Sequence, residues 1–222
     1  MACDHGSLIA VSVAQLAAGT DRDGELISIQ LAGLNSERVI GYGEYWRILT
    51  SGLMHYWFIH LYFNAQAFYG LGGLTEFVSD RSRMAIVFVA AMIGGAIASL
   101  IFLPGVNSVG ASGGIMGLIG YLTIYGYRRK TQLPPGFLRS MIVNFVFIAA
   151  IGIVGYKVIN NFAHFGGFLI GLVYAFFTVP KDRSVDPRRI GAITEGTGMV
   201  AVGTVVFFAV FTILILTGRI AF

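Results

Sequence analysis

Two polar residues open apolar, glycine-rich stretches, and their side chains are of the types that perform acyl transfer. Ser112 lies in the sequence GASGGIMG, and His164 lies in the sequence AHFGGFLIG. A serine hydroxyl becomes an effective nucleophile when a neighbouring imidazole takes its proton. The two residues therefore indicate a Ser–His dyad, provided that the fold brings the two stretches together.

The glycines that follow the serine and the histidine give the two stretches a way to approach each other. Gly167 and Gly171 follow the histidine at helical spacing and share its face of the helix, and Gly113 and Gly117 follow the serine near one face. Small residues let membrane helices pack with their backbones close together. If these two faces pack, the serine hydroxyl and the imidazole meet at hydrogen-bonding distance.

Three further polar residues precede the serine in the chain. His60 and Asn64 are four residues apart and share one helix face, so both could donate hydrogen bonds to an oxyanion. The free backbone N–H groups at the start of the Ser112 helix are further donors. His55 lies five residues before His60, at a different angle around the helix, and is expected to play a different part.

Each of these features also has a simpler interpretation. Ser112 could be a helix N-cap, and the glycines could serve tight packing alone. His60 and Asn64 could form hydrogen bonds that hold helices together. A zinc site of three histidines is a further alternative, although the chain has no HExxH motif and no carboxylate close in sequence to the histidines. The spacing alone leaves the dyad and these alternatives open.

The composition indicates which elements must position these residues. The chain has 222 residues, is 56% hydrophobic and 12% charged, and contains 30 glycines, with a mean hydropathy of +0.76. Soluble domains carry about a quarter charged residues, so we predict one all-α membrane domain, a polytopic helix bundle over residues 1–222. One cysteine, Cys3, excludes an intrachain disulfide. We expect no cleavable signal peptide, because the N-terminus lacks a basic region.

Six stretches are apolar enough to be membrane spans, which need roughly 17–25 residues. They cover residues 57–78, 83–103, 112–127, 139–156, 161–179 and 197–217. We assign the core helices to residues 57–179 and a C-terminal span to 197–217. The short apolar segment within residues 1–19 is a distorted first helix, an interfacial segment or the end of a truncated span.

The segment 20–56 is polar and amphipathic, and it is too long for a turn and too mixed to span a membrane. Its acidic residues are Asp21, Asp23, Glu25, Glu37 and Glu44. Irregular backbone near a membrane must be shielded by protein or water, so we expect this segment to pack on the outside end of the bundle.

Positive charge orients the predicted spans. Three alternate connections hold ten of the 15 basic residues, namely Arg81, Arg83, Arg128, Arg129, Lys130, Arg139, Lys181, Arg183, Arg188 and Arg189, whereas residues 157–160 hold only Lys157. Cytoplasmic loops carry an excess of Lys and Arg. The starts of the helices at Ser112 and His164 are therefore predicted to face outside. The net charge of +4 follows this loop distribution and does not indicate nucleic-acid binding.

Four short motifs, in order along residues 44–171, resemble the rhomboid family of intramembrane serine proteases. The family patterns W-R, H-x4-H-x3-N, G-x-S-G and A-H-x2-G-x3-G match Trp46 and Arg47; His55, His60 and Asn64; Gly110 to Gly113; and Ala163 to Gly171. The sequence YGLGGLTE, which ends at Glu76, is similar to the end of the family's second helix.

The resemblance implies an intramembrane serine endopeptidase with a six-helix core. Ser112 would be the nucleophile and His164 the general base. His60, Asn64 and the backbone N–H of Ser112 would form the oxyanion site. Structural or nearby roles would fall to His55, Gly110, Gly113, Met116, Trp46, Arg47, Glu76, Gly167 and Gly171.

The chain departs from the family pattern at one position near the serine. Many members carry an aromatic residue four positions after the serine, which stacks on the histidine. This chain has Met116 there, whose sulfur can still pack against an imidazole face.

The resemblance also defines the expected partners and location. The substrates would be single-span membrane proteins cut near the external end of their helix, with membrane lipid as the surroundings, most simply in a prokaryotic plasma membrane. No cofactor motif, metal site or nucleic-acid partner is expected. Two alternatives are a catalytically weak or inactive rhomboid-like binding or chaperone protein, and a transporter or channel, although the spans show no ion-coupling acid or base and no paired half-helices.

Overall fold

A computed structural model of the chain describes residues 2–20, 26–156, 158–182 and 184–220. Asp21, Asp23, Glu25, Lys157 and Arg183, which entered the charge pattern, lie outside the described residues. Within those ranges the ordered elements are helical, and the only β pairing is two isolated bridges, Thr20 with Leu26 and Leu34 with Ser108. The predicted all-α class is confirmed.

Nine α-helices follow one another in the described parts of the chain. They are α1 (Ala2–Ala18), α2 (Ile27–Ala32), α3 (Arg47–Thr50), α4 (Phe58–Val78), α5 (Arg81–Phe102), α6 (Ser112–Arg128), α7 (Phe137–Val154), α8 (Asn161–Thr178) and α9 (Ala192–Leu216). A π-helical turn (Glu37–Gly41) and a short 3-10 turn (Ser51–Leu53) lie on either side of α3. The helix α9 begins at Ala192, before the apolar stretch 197–217. The added first turn contains Glu195, and a negative charge is favourable at a helix N-terminus.

Four helices of the described chain, α5, α7, α8 and α9, are long and apolar enough to cross a membrane. The helices α4 and α6, which the sequence also indicated as spans, do not meet the same criteria. The helix α6 has only 17 residues, and α4 carries His60, Asn64 and Glu76. Both nevertheless pack within the bundle formed by the apolar helices. The protein is therefore an integral membrane protein in which α6 is shielded by the helices around it, whereas α4 buries one side only.

The helix α6 occupies the centre of the bundle and packs on α4, α5, α7 and α8. Leu118, Ile119 and Leu122 in its middle have no exposed surface. The helix α8 lies against both α5 and α6, so these three helices form the core that carries the serine and the histidine.

The helix α1 and the helix α9 complete one side of the bundle. They pack on each other, and α9 also packs on α5. Leu8 and Val11 of α1 are buried in this contact region. The short N-terminal segment is thus an ordered helix that packs on the bundle.

Arg47 holds the segment between α1 and α4 against the bundle. Its side chain is only 3% exposed and forms an ion pair with Glu44. It also donates to the backbone carbonyls of Gln30 at 3.2 Å and Gly33 at 2.8 Å, and its guanidinium lies 4.7 Å from the ring centroid of Trp46. One buried cation therefore ties together three parts of an irregular segment.

Candidate active site

Ser112 and His164 are hydrogen-bonded, with 2.8 Å between the Oγ and Nε2 atoms. Ser112 is the first residue of α6, and His164 lies in the first turn of α8. Ala111 occupies the N-cap position of α6, and no side chain caps that helix. The serine hydroxyl therefore contacts the imidazole and does not act as an N-cap.

Glycine contacts between α6 and α8 set the relative depth of the serine and the histidine. A Cβ added at Gly167 would lie 2.0 Å from the carbonyl oxygen of Gly113, and one added at Gly171 would lie 1.9 Å from that of Gly117. Real Cβ atoms do not approach so closely, so only glycine fits at these two successive turns. The two helices touch backbone to backbone directly below the hydrogen bond between the serine and the histidine.

Asn160 fixes the start of α8 and was not singled out from the sequence. Its side-chain oxygen accepts from the backbone N–H of Ala163 at 3.0 Å, which makes it the N-cap of α8. Its amide nitrogen donates to the hydroxyls of Ser99 in α5 at 2.6 Å and Ser108 in the loop before α6 at 3.1 Å. An Asn directly before a helical stretch is the signal that could have found it.

His60 and Asn64 lie on the wall of the cavity that contains the dyad. The amide of Asn64 donates to the backbone carbonyl of His60 at 2.9 Å, which leaves its second N–H available. Gly110 has a positive φ of 132°, and an added Cβ there would lie 2.9 Å from Nε2 of His60 and 3.8 Å from Oγ of Ser112. A glycine at this position thus lets the His60 ring lie beside the serine.

His55 lies behind His60 and outside the dyad. The two rings meet edge to face with centroids 5.1 Å apart, and His55 is 4% exposed. Its two ring nitrogens are buried and have no hydrogen-bond partner among the described residues. Burial, with a smaller contribution from His60, lowers the pKa of His55 to about 3, so its imidazole is neutral.

Gln15 of α1 anchors the backbone at His55, a role the sequence did not reveal. Its amide oxygen accepts from the His55 N–H at 2.9 Å, and its amide nitrogen donates to the His55 carbonyl at 3.1 Å. A lone buried amide in an apolar segment was the available signal. The helix α1 therefore contributes to the order of the site although it lies far from the serine in sequence.

Of the remaining residues singled out from the sequence, one lies on the cavity wall and the others lie outside the cavity lining. Met116 is 1% exposed and lies on the cavity wall. Trp46 and Arg47 belong to the segment before α4, and Glu76 lies at the far end of α4, where it pairs with Arg81 at 3.6 Å. The structure therefore keeps Glu76 and the Trp-Arg pair away from the dyad.

A cavity of about 530 Å³ opens onto the serine and the histidine. Its wall includes Ile148 of α7, Val106 of the loop before α6, and Tyr156 after α7. This volume lies in the range of ligand pockets. The imidazole Nδ1 of His164 is buried without a hydrogen-bond partner among the described residues, so within that part of the chain the pair has no third member.

The sequence model of the family described as the rhomboid domain matches residues 42–181. This range contains α3 to α8 with every residue of the candidate site except Gln15. The helices α1 and α9 lie outside it.

Three curated relatives show the range of similarity. The chain is 33% identical to Rhomboid protease GluP of Bacillus subtilis (strain 168) over 165 residues, which cover 72% of this chain and 32% of the relative. It is 31% identical to RHOMBOID-like protein 6, mitochondrial, of Arabidopsis thaliana, covering 70% and 50%. It is 29% identical to Rhomboid protease GlpG of Photorhabdus laumondii subsp. laumondii, covering 60% and 48%. The chain thus spans half or less of the length of these relatives.

Proposed function

Because this chain belongs to the rhomboid family, we propose that it is an intramembrane serine endopeptidase that uses Ser112 and His164. The hydrogen bond of 2.8 Å between Oγ and Nε2 is the observation that carries the proposal. It lies at the starts of two helices and faces a cavity of about 530 Å³. A nucleophile and a base in contact at the wall of a cavity are the first requirement for acyl transfer.

Acylation begins with proton transfer from Ser112 to Nε2 of His164 as the serine oxygen attacks the substrate carbonyl carbon. The carbonyl oxygen becomes an oxyanion, and its proposed hydrogen-bond donors are the backbone N–H of Ser112 and the side chains of His60 and Asn64. Removing one such donor from a protease typically costs roughly 10²–10³ in rate. His164 then gives the proton to the leaving amine, and the peptide bond breaks.

Deacylation reverses the roles with water. His164 takes a proton from a water molecule, whose oxygen attacks the ester carbon on Ser112, and the proton passes to the serine oxygen as the ester breaks. No carboxylate contacts Nδ1 of His164 among the described residues. Within that part of the chain, no counter-ion pairs with the imidazolium that forms when His164 takes the proton. This supports a dyad mechanism rather than a triad.

The substrate class follows from where the cavity opens. The connections rich in Arg and Lys lie at the other end of the helices, and such connections are cytoplasmic in membrane proteins. The dyad therefore faces outside, and it acts on single-span membrane proteins near the external end of their helix. A peptide must be extended to enter the site, so the substrate helix unwinds locally before it is cut.

The test is cleavage of a tagged single-span substrate in membranes by the wild type, Ser112→Ala and His164→Ala, with Ser140→Ala as the control. Ser140 is an exposed serine of α7 on the far side from the dyad. We expect both dyad variants to lose cleavage and the control to keep it. Cleavage by Ser112→Ala at the wild-type rate would exclude the proposal. Equal midpoints of thermal unfolding would show that the variants are folded.

A catalytically weak or inactive binding protein is the second candidate, and Met116 is the observation that favours it. Many family members carry an aromatic residue at this position, and a thioether restrains an imidazole less firmly than a stacked ring. Labelling of Ser112 by a fluorophosphonate separates the two candidates, because it reports the nucleophile without a protein substrate. Labelling of the wild type but not of Ser112→Ala supports the enzyme, and equal labelling of the two excludes it.

A further inference from the structure

Two cations contact one exposed aromatic ring at the end of α8 opposite the dyad. The guanidinium carbon of Arg128 lies 5.0 Å from the ring centroid of Phe176, and the Nζ of Lys181 lies 5.8 Å from it. Both distances are within cation–π range. Phe176 is 53% exposed. Two positive charges therefore lie beside one aromatic ring at the exposed surface of the bundle.

One side of the Arg128 guanidinium is hydrogen-bonded to the end of α8. Its Nη1 donates to the backbone carbonyls of Val179 and Ala175 at the end of α8. In the described chain its Nε and Nη2 have no bonding partner. These two N–H groups point in parallel and form the edge that binds two oxygens of a phosphate. The bonds to α8 therefore hold the guanidinium in one orientation and leave its Nε and Nη2 edge without a partner in the described chain.

No carboxylate forms an ion pair with either cation in the described chain. The ion pairs there involve Arg38, Arg47, Arg81 and Arg83 only. Asp182, the neighbour of Lys181, accepts hydrogen bonds from the backbone N–H of Ser184 at 2.9 Å and from its hydroxyl at 2.8 Å. Two cations without an ion-pair partner at a membrane surface attract anionic headgroups.

An apolar strip, which we call the α8 stripe, leads from these cations toward the middle of the membrane. It consists of Phe165, Leu169, Val173 and Phe176, which are 59%, 46%, 47% and 53% exposed. At 1.5 Å per residue the stripe is about 16 Å long. One leaflet of a hydrocarbon core of ~30 Å is about as thick. An acyl chain lying along the stripe would reach from the cations to the bilayer centre.

We propose that Arg128, Lys181 and the α8 stripe together bind one anionic phospholipid. The phosphate takes the Nε and Nη2 edge of Arg128 and the ammonium of Lys181, and one acyl chain lies along the stripe. A zwitterionic lipid offers the same chain but adds a positive charge beside the two cations, so it binds more weakly. The site does not involve the dyad and does not depend on the proposed protease activity.

The test uses native mass spectrometry of the full chain released from nanodiscs of equal phosphatidylglycerol and phosphatidylcholine. We expect phosphatidylglycerol to be retained in preference to phosphatidylcholine. A cation near the membrane surface strengthens binding of an anionic lipid about fivefold. Lys181→Gln should therefore lower the preference about fivefold, and the double variant R128Q/K181Q should abolish it.

The matched control is the double variant K130Q/R188Q, which removes the same charge from two exposed residues outside the cluster. We expect its lipid preference to change less than twofold. Equal losses in the two double variants, or a retained preference in R128Q/K181Q, would overturn the site.

Two further arms complete the test. The variant Arg128→Lys keeps the charge but lacks the two-pronged edge, so an intermediate preference is expected even if the end of α8 is loosened. Inorganic phosphate added to the wild type should not displace the lipid, because phosphate cannot use the stripe. Complete displacement by phosphate would show a simple anion site and exclude the phospholipid.

Discussion

The helices α6 and α7 are similar in length and lie side by side, but their surroundings are opposite. Most residues of α6 are buried, whereas the buried residues of α7 are Met141 and Gly152. The helix α7 is apolar enough to be a membrane span, and α6 is not. The helix α6 is rich in Gly and Tyr, whereas α7 consists mainly of Ile, Val, Phe and Ala.

Between these two helices, the more apolar one is the more exposed, and the glycine-rich one is enclosed by protein. Lipid is as apolar as Leu or Phe, so burial of apolar side chains between helices yields little free energy in a membrane. Close packing and hydrogen bonds hold the helices together instead. The reactive pair lies on α6 and α8, whose glycines make the closest contacts with the backbone of a neighbouring helix in the described chain.

The largest effect is expected where an added side chain meets a backbone. Gly171→Val places carbon atoms against the carbonyl of Gly117, where a Cβ would already be 1.9 Å away. A backbone carbonyl cannot rotate aside, so we expect a loss of at least about 3 kcal/mol of stability and of all cleavage activity. The measurement is the midpoint of thermal unfolding in detergent.

The control for this substitution is Gly203→Val in α9, where an added Cβ meets no atom within 4 Å. We expect that variant to unfold at the wild-type temperature. If both valine variants unfold at the same temperature, a side chain at Gly171 is tolerated as well as one at an open position. That result would contradict the close contact between α6 and α8.

The second effect tests how α8 is aligned with α6. Asn160→Ala removes the cap and both bonds to serine hydroxyls, while Asn160→Ser keeps a capping oxygen but cannot span to Ser99 and Ser108. We expect both variants to lower kcat by roughly 10–100-fold with little change in KM, because misplacing a catalytic base acts on the transition state. Only the alanine variant should lose the cap, about 1 kcal/mol of stability. A wild-type kcat for Asn160→Ser would contradict the role of the two serines.

The third effect probes how the C-terminal end of α7 is attached to the start of α8. A Cβ added at Gly152 would lie 1.9 Å from Oδ1 of Asn161, which is the end of a side chain and can rotate away. Gly152→Val should therefore cost about 1–3 kcal/mol, less than the change at Gly171. Thermal unfolding of Ile153→Val, at a neighbouring position that is 71% exposed, provides the baseline. A loss equal to that of Gly171→Val would mean that α7 is attached as firmly as α8.

The smallest effect is expected on the lipid face of α7. Phe147 is 62% exposed, and Phe147→Ala should change the stability by no more than about 0.5 kcal/mol. Leu118→Ala in α6, at a fully buried position, should cost about 2–5 kcal/mol by leaving a cavity. Thermal unfolding of both variants in the same detergent measures the contrast. Equal losses of stability in the two variants would show that α6 and α7 do not differ in how much their side chains contribute to packing.

Much of the fold could be predicted because helix length and loop charge are local properties of the chain. The family resemblance, which rested on four motifs, is confirmed by the match over residues 42–181. The extent of α9 was less predictable, because Glu195 is unfavourable in a membrane but favourable in the first turn of a helix. The sequence also indicated spans at α4 and α6, which do not meet the length and hydropathy criteria that α5, α7, α8 and α9 meet.

The residues of the candidate site were also predictable only in part. The types and spacing of Ser112, His164, His60 and Asn64 were enough to suggest acyl transfer. Gln15 and Asn160 escaped notice because their importance lies in partners that are 40 to 61 residues away in sequence. A hydrogen bond over such a distance leaves no periodic signal in the chain.

The sequence by itself determined the membrane class, the approximate helices, the end of the bundle rich in positive charge and the chemistry that the polar residues could perform. Only the tertiary structure decided which glycines meet a backbone, where the hydroxyl of Ser112 points and which cations lack a carboxylate. The reason is that composition and periodicity act within one helix. A contact distance depends on the relative position of two helices, which many packing contacts set together.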